Sequence, residues 1–120
     1  MNYLESLEDY LERILMLSET HEHVRSIDIA LDMHYSKPSV SIAMKKLKEK
    51  ELIEIDDKGY ITLTSEGMKI ASTTYEKHKL IYNILLSIGV SKETAREDAC
   101  KLEHSLSEET FERLKEMSKK

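Results

Sequence analysis

Between Ser26 and Leu63 the chain carries two short segments of helical period joined by a tight connection, then two alternating apolar runs around a polar turn. No other stretch restricts the fold as strongly. Ser26 stands where it can cap a helix through about Met33, and Ser36 where it can cap a second helix to about residue 50. Pro38 falls in the first turn of that second helix, where its missing N–H costs nothing. Val40, Met44 and Leu47 recur on one face, and Ala30 is small enough to let the two helices cross closely at the His34-Tyr35 connection. Residues 52–55 and 60–63 alternate as strands do, and Asp56-Asp57-Lys58-Gly59 between them supplies a glycine for positive φ. Crossing helices followed by a hairpin form the pattern of a winged helix-turn-helix.

The flanks read as helices. Leu4, Leu7, Leu11, Ile14 and Leu15 predict an amphipathic first helix over residues 3–19. Thr64 or Ser65 caps a long helix that passes His78 and reaches about Ser87, where Ile88-Gly89-Val90 breaks it. Ser91 caps a helix with the apolar stripe Ala95, Ala99, Leu102 and Leu106; Ser107, with Glu108 and Glu109, starts a last helix containing Phe111, Leu114 and Met117. With three Gly, one Pro and no linker, repeat or low-complexity stretch, the expected fold class is mainly α with a small two-stranded wing. The division we expect is a DNA-reading domain over residues 1–72 and a helical domain over residues 73–120.

A net charge of −5 argues weakly against a nucleic-acid partner, but distribution outweighs the sum. Residues 36–50 hold Lys37, Lys45, Lys46, Lys48 and Lys50 against Glu49, whereas residues 1–23 hold six acids against Arg13. The basic segment is the second helix of the helix-turn-helix, the element that enters a major groove. Ser36, Lys37, Pro38, Ser39 and Ser41 are therefore expected near DNA, Lys45 and Lys46 near phosphates, and Lys58 at the wing tip near a phosphate or the minor groove. A solvated lysine-rich helix and a solubility lysine on a hairpin are the bland alternatives. The apolar opposite face and the wing that follows favour DNA.

A second constellation lies in Asp98-Ala99-Cys100-Lys101-Leu102-Glu103-His104. On a continuous helix, Cys100, Glu103 and His104 stand at i, i+3 and i+4, where three donor chemistries can address one ion. Asp9 and Glu12 are i, i+3 neighbours on the first helix, and His78 shares a helix face with Ile81, Tyr82 and Leu85. Each has an ordinary reading too: a solvated acidic face, a partly buried histidine, a small core cysteine. His21, His23 and His34 fall in loops or turns. One cysteine cannot form an internal disulfide, which leaves Cys100 as a ligand, a core residue or a redox group. A metal-independent winged-helix regulator sensing oxidants through Cys100 is the alternative function. A metallohydrolase would need a separate general base and a substrate pocket, for which the sequence offers no residues, so neither an enzyme nor a small-molecule substrate is expected. The absence of a signal sequence or transmembrane stretch makes a cytoplasmic location, with no membrane partner, the expectation.

Across essentially its whole length the chain resembles the diphtheria toxin repressor and manganese transport regulator family. The matching landmarks are Leu7-Glu8-Asp9-Tyr10-Leu11-Glu12, Ser36-Lys37-Pro38-Ser39-Val40-Ser41, Leu63-Thr64-Ser65-Glu66-Gly67, His78, and the run from Glu97 to His104. The resemblance implies a metal-dependent repressor of metal-ion homeostasis: a winged helix-turn-helix, a helical dimerisation domain, a homodimer on double-stranded operator DNA, and a divalent ion at the domain junction. It implies Asp9, Glu12, His78, Cys100, Glu103 and His104 as the ligands. Asp9 and Glu12 match the manganese branch, whereas Cys100 matches the iron branch, where manganese regulators carry Glu. Tyr82 and Arg96 replace residues of an iron-branch ancillary site, and the Src-homology-3-like third domain of longer relatives is expected to be absent. Carboxylates and imidazoles favour Mn2+ or Fe2+, and a thiolate moves preference toward iron, cobalt or zinc, with Zn2+ or Co2+ able to bind in vitro.

Overall fold

The computed structural model describes residues 3–119, with side chains from Leu7 onward, so Leu4 lies outside the described side chains. The element order is α1 (Tyr3–Ser18), α2 (Ser26–Met33), α3 (Lys37–Glu49), β1 (Ile53–Ile55), β2 (Ile61–Leu63), α4 (Ser65–Ser87), α5 (Lys92–Leu102) and α6 (Glu108–Ser118). The chain divides into two compact units, Met1–Ser72 and Thr73–Lys120.

The first unit closes on an apolar cluster. Leu11, Ile14, Ile29, Val40, Met44, Leu47 and Ile53 are almost completely buried there, so α1 lies under the α2–α3 pair and β1 seals one side. Arg13 joins α1 to α2 through Asp32 at 2.8 Å. Both helices of the helix-turn-helix end in left-handed residues that are not glycine. His34 (φ 59°) ends α2 while the Tyr35 N–H donates to the Ala30 carbonyl at 3.0 Å; Glu51 (φ 60°) ends α3 while the Leu52 N–H donates to the Leu47 carbonyl at 3.0 Å.

The wing is short because its pairing is brief: Ile53 faces Leu63, Glu54 faces Thr62 and Ile55 faces Ile61, antiparallel. Asp56 organises the tip, its carboxylate accepting the Lys58 and Tyr60 N–H groups, both at 2.9 Å, while Gly59 takes φ 83°. A bridge to Val24 adds a third segment on one edge, the Ile61 N–H donating to the Val24 carbonyl at 2.7 Å. Thr64 caps α4 by accepting the Gly67 N–H at 3.2 Å, and its own N–H donates to the Leu52 carbonyl. That carbonyl lies so close to Gly67 that a Cβ there would overlap it.

Three boundaries in this unit differ from expectation. Arg25, not Ser26, is the N-cap of α2, because the Asp28 carboxylate reaches back to accept the Arg25 N–H at 2.9 Å. Each strand begins one residue later than the apolar alternation suggests, at Ile53 and Ile61.

In the second unit α4 ends at Ser87, with Gly89 at φ 96° and the Val90 N–H donating back to the Leu85 carbonyl. Ser91 and Ser107 cap α5 and α6 by accepting the Thr94 and Thr110 N–H groups. Phe111, the buried anchor of α6, lies under two ammonium groups: Lys77 pairs with Glu108 at 3.4 Å, and Lys115 with Glu76 at 2.6 Å. The expected apolar stripe of α5 stops short. Ala95 and Ala99 are buried, but Leu102 is 43% exposed, because the helix ends there and the chain turns. Met117 is exposed as well. Among the described residues the hairpin is the only sheet, and no helix is long and apolar enough to cross a membrane.

Candidate metal centre and nucleic-acid interface

The second unit gathers four of the expected ligands. His78 lies on α4 along the stripe Thr74, His78 and Ile81, all buried. Glu103 is the C-cap of α5, still in helical conformation, and its carboxylate is turned inward so that the residue is only 2% exposed. Its Oε2 lies 3.1 Å from His78 Nδ1 and its Oε1 lies 3.4 Å from His104 Nε2, so one carboxylate spans two imidazoles. The Cys100 Sγ is 3.8 Å from the same Nδ1. His104 is not on α5, as a continuous helix would have it; it follows the cap in a turn, where the Ser105 N–H donates to the Leu102 carbonyl. Its ring still points inward, with a side chain 7% exposed.

These separations suit a shared ion. Two N or O donors each about 2.0–2.2 Å from a metal lie roughly 3–3.5 Å apart, and a thiolate at about 2.3 Å sits slightly farther out. Without an ion, a buried carboxylate needs N–H donors, and the His78 imidazole can supply one to Oε2. The same nitrogen can therefore serve as a hydrogen-bond donor or as a ligand according to protonation. Tyr75 and Tyr82 flank the His78 ring, with centroids 6.5 and 6.2 Å away and Tyr82 nearly parallel to it. Tyr82 was expected on the His78 face, whereas Tyr75 was not. Its signal was present in the spacing 75, 78 and 82, which places all three on one face of α4.

The remaining two expected ligands belong to the first unit. Asp9 and Glu12 stand one turn apart on α1, Asp9 half-buried and Glu12 buried. The other histidines have local duties. His21 Nδ1 is 3.1 Å from the Leu17 carbonyl, His23 stacks on the Tyr60 ring at 4.0 Å, and His34 holds the left-handed end of α2. Arg96 is exposed on α5.

On α3 the side chains of Ser36, Lys37, Pro38, Ser39, Ser41, Lys45 and Lys46 are all exposed, opposite or beside the buried face of Val40, Met44 and Leu47. Ser36 caps the helix, accepting the Ser39 N–H at 3.3 Å, and its hydroxyl lies 2.8 Å from that of Ser39. Lys58 is exposed at the wing tip. Arg25 adds a cation beside the wing that had not been singled out: it donates to the Tyr60 hydroxyl at 3.2 Å and lies over that ring.

A winged helix-turn-helix followed in sequence by a helical unit that concentrates imidazole, carboxylate and thiol defines a DNA-binding regulator that responds to metal. Comparison with known proteins agrees. Residues 2–61 match the iron dependent repressor N-terminal DNA binding domain, and residues 64–120 match the iron dependent repressor metal binding and dimerisation domain. The chain belongs to this iron-dependent repressor family of metal-dependent transcriptional regulators. It is 37% identical over 116 residues to the transcriptional regulator MntR of Escherichia coli O6:H1, covering 97% of this chain and 75% of that protein. It is 34% identical over 109 residues to MntR of Bacillus subtilis, covering 91% and 77%. The solved manganese regulator SloR superposes with a TM-score of 0.82 at 36% identity, covering 94% of this chain and 53% of that one. A manganese-dependent transcriptional repressor in complex with manganese gives 0.81 at 26% identity. The chain thus spans about half the length of these two solved structures. Neither the geometry nor these relatives favour the alternative of a metal-independent redox sensor.

Proposed function

We propose that this chain is a metal-activated repressor that binds double-stranded operator DNA as a homodimer, regulates metal-ion homeostasis and performs no catalysis. The observation that carries the reading is the buried Glu103 carboxylate held between His78 and His104 with Cys100 beside it, in a chain whose basic α3 and wing form a DNA-reading unit. His78, Cys100, Glu103 and His104 hold the ion, and Asp9 and Glu12 of α1 supply further oxygen ligands. When bound, the ion supplies the positive charge that lets several acidic ligands share one site. Before that, Glu103 has the His78 imidazole beside its Oε2, and gathering Asp9 and Glu12 at the same site is opposed by like charge. The arrangement competent for DNA is then the one in which all six side chains serve one site, so metal and operator strengthen each other reciprocally. Mn2+ and Fe2+ suit the oxygen and imidazole donors, and the thiol adds preference for iron.

The test is binding of the full chain to duplexes selected from a randomised library, across Mn2+, Fe2+, Co2+, Zn2+ and chelator. The reading expects metal-dependent retention of a two-fold sequence, lost in Glu103→Ala and His104→Ala. Equal binding with chelator would overturn the switch, and a monomer on DNA would overturn the dimeric operator model. Lys45→Ala and Lys46→Ala should each flatten the salt dependence by about one counterion without changing metal affinity.

A further inference from the structure

The solvent face of α3 is not wholly polar. Ile42 is 59% exposed, on a helix whose other apolar side chains beyond Pro38 of the first turn and Ala43, namely Val40, Met44 and Leu47, are buried. At about 100° per residue, Ile42 lies roughly 200° from Val40, close to diametrically opposite the buried face. Pro38 lies roughly 40° to one side, one turn earlier, and Ser39 roughly 60° to the other. Lys45 and Lys46, one turn later, flank it from either side by similar angles. Ile42 therefore occupies the middle of the face, with a lysine on each flank, whereas Ser41 sits nearer the side of the helix.

We infer that Ile42 is a specificity-determining residue that reads the C5-methyl group of a thymine in the major groove. This rests on the proposed function. An exposed branched apolar side chain costs solubility and offers no phosphate contact, so a purely electrostatic grip would gain nothing from it. Between two lysines that hold the phosphates on either side, it faces the groove floor. The apolar feature available there is the thymine methyl group; adenine, guanine and cytosine present donors and acceptors. Ile42 can make no hydrogen bond, and it would leave those polar edges desolvated and unpaired, so it rejects them as well as favouring thymine.

The experiment uses the full chain loaded with Mn2+ and duplexes recovered from a randomised library. In these duplexes each thymine is replaced singly by deoxyuridine, which removes only the methyl group. The expected result is one thymine per half-site at which the replacement weakens binding about three- to five-fold, the worth of burying one methyl group. Ile42→Ala, which leaves the buried face untouched, should bind thymine and uracil equally at that position. Ile42→Thr, which keeps a methyl, should retain part of the discrimination. Uracil replacements that affect wild type and Ile42→Ala alike, or affect neither, overturn the inference while leaving the repressor reading intact. Failure of the wild type to select any sequence with metal overturns both.

Discussion

The first unit closes on an apolar cluster that runs from Leu7 to Ala71, whereas in the second the buried apolar side chains among the described residues are Ile81, Ala95, Ala99 and Phe111. Beside these few stand buried Thr74, His78 and Glu103. Hydrophobic burial is non-directional and always present, so a unit built on it keeps its shape in any ionic setting. Polar contacts in a sparse core are conditional: each donor and acceptor must find its partner, and a ligand that binds only the ordered form shifts the balance. On the proposed function, the contrast gives a constant DNA-reading surface to one unit and a responsive centre to the other.

The strongest blow to this contrast would come from Leu47. Leu47→Ala should destabilise the protein by about 2–5 kcal/mol, equally with and without Mn2+, as read by urea denaturation. A loss that metal restores would mean the first unit is conditional too. Next in size is the response of the second unit. Mn2+ at about 100 times its dissociation constant should add about 2.7 kcal/mol of stability. Hydrogen exchange should locate the added protection chiefly in α4 and α5, with a lesser share in the α1 turn that carries Asp9 and Glu12, and Glu103→Gln should abolish it. Protection appearing in α2 and α3 alone would reverse the assignment.

A smaller effect concerns the end of α3. Glu51 holds a left-handed conformation that costs an ordinary residue about 1 kcal/mol, so Glu51→Gly should stabilise the first unit by up to that amount in thermal unfolding. The smallest effect appears at alkaline pH. Burial, then the neighbouring Tyr35 and Asp9, raises the Tyr10 hydroxyl above its ordinary 10.0. The folded protein thus favours the neutral phenol; the contribution is fully present below pH 10.0 and fades as pH rises through the elevated native value. Tyr10→Phe should remove that part of the alkaline loss, and an unchanged slope would place its origin elsewhere.

Local chemistry was legible in the sequence, and tertiary chemistry less so. Ser36, Ser91 and Ser107 are caps because a hydroxyl three residues before an exposed N–H acts within one turn. Val40, Met44 and Leu47 face inward because helical period alone puts them together. Ser26 misled because the Asp28 carboxylate, reaching backward, moved the cap to Arg25. The chain's apolar pattern carried α5 through Leu106, yet the helix ends at Leu102, so Leu102 is exposed and His104 reaches Glu103 from a turn. Residue types announced the cluster of His78, Cys100, Glu103 and His104. Its carboxylate bridge depends on Glu103, at the end of α5, meeting His78 on α4 in space, which no spacing along the chain encodes.

The two tyrosines beside His78 make the second unit observable in its own light. The chain has six tyrosines and no tryptophan, so its ultraviolet emission is tyrosine emission alone. Tyr75 and Tyr82 hold their rings within 6.5 Å of the imidazole centroid, one on each side along α4. A paramagnetic ion at His78 Nδ1 would quench these two first, whereas diamagnetic Zn2+ would leave them bright. On the proposed reading, the molecule thus carries an intrinsic optical gauge that separates a centre holding a paramagnetic ion from one that is empty or holds a diamagnetic ion, with no label attached.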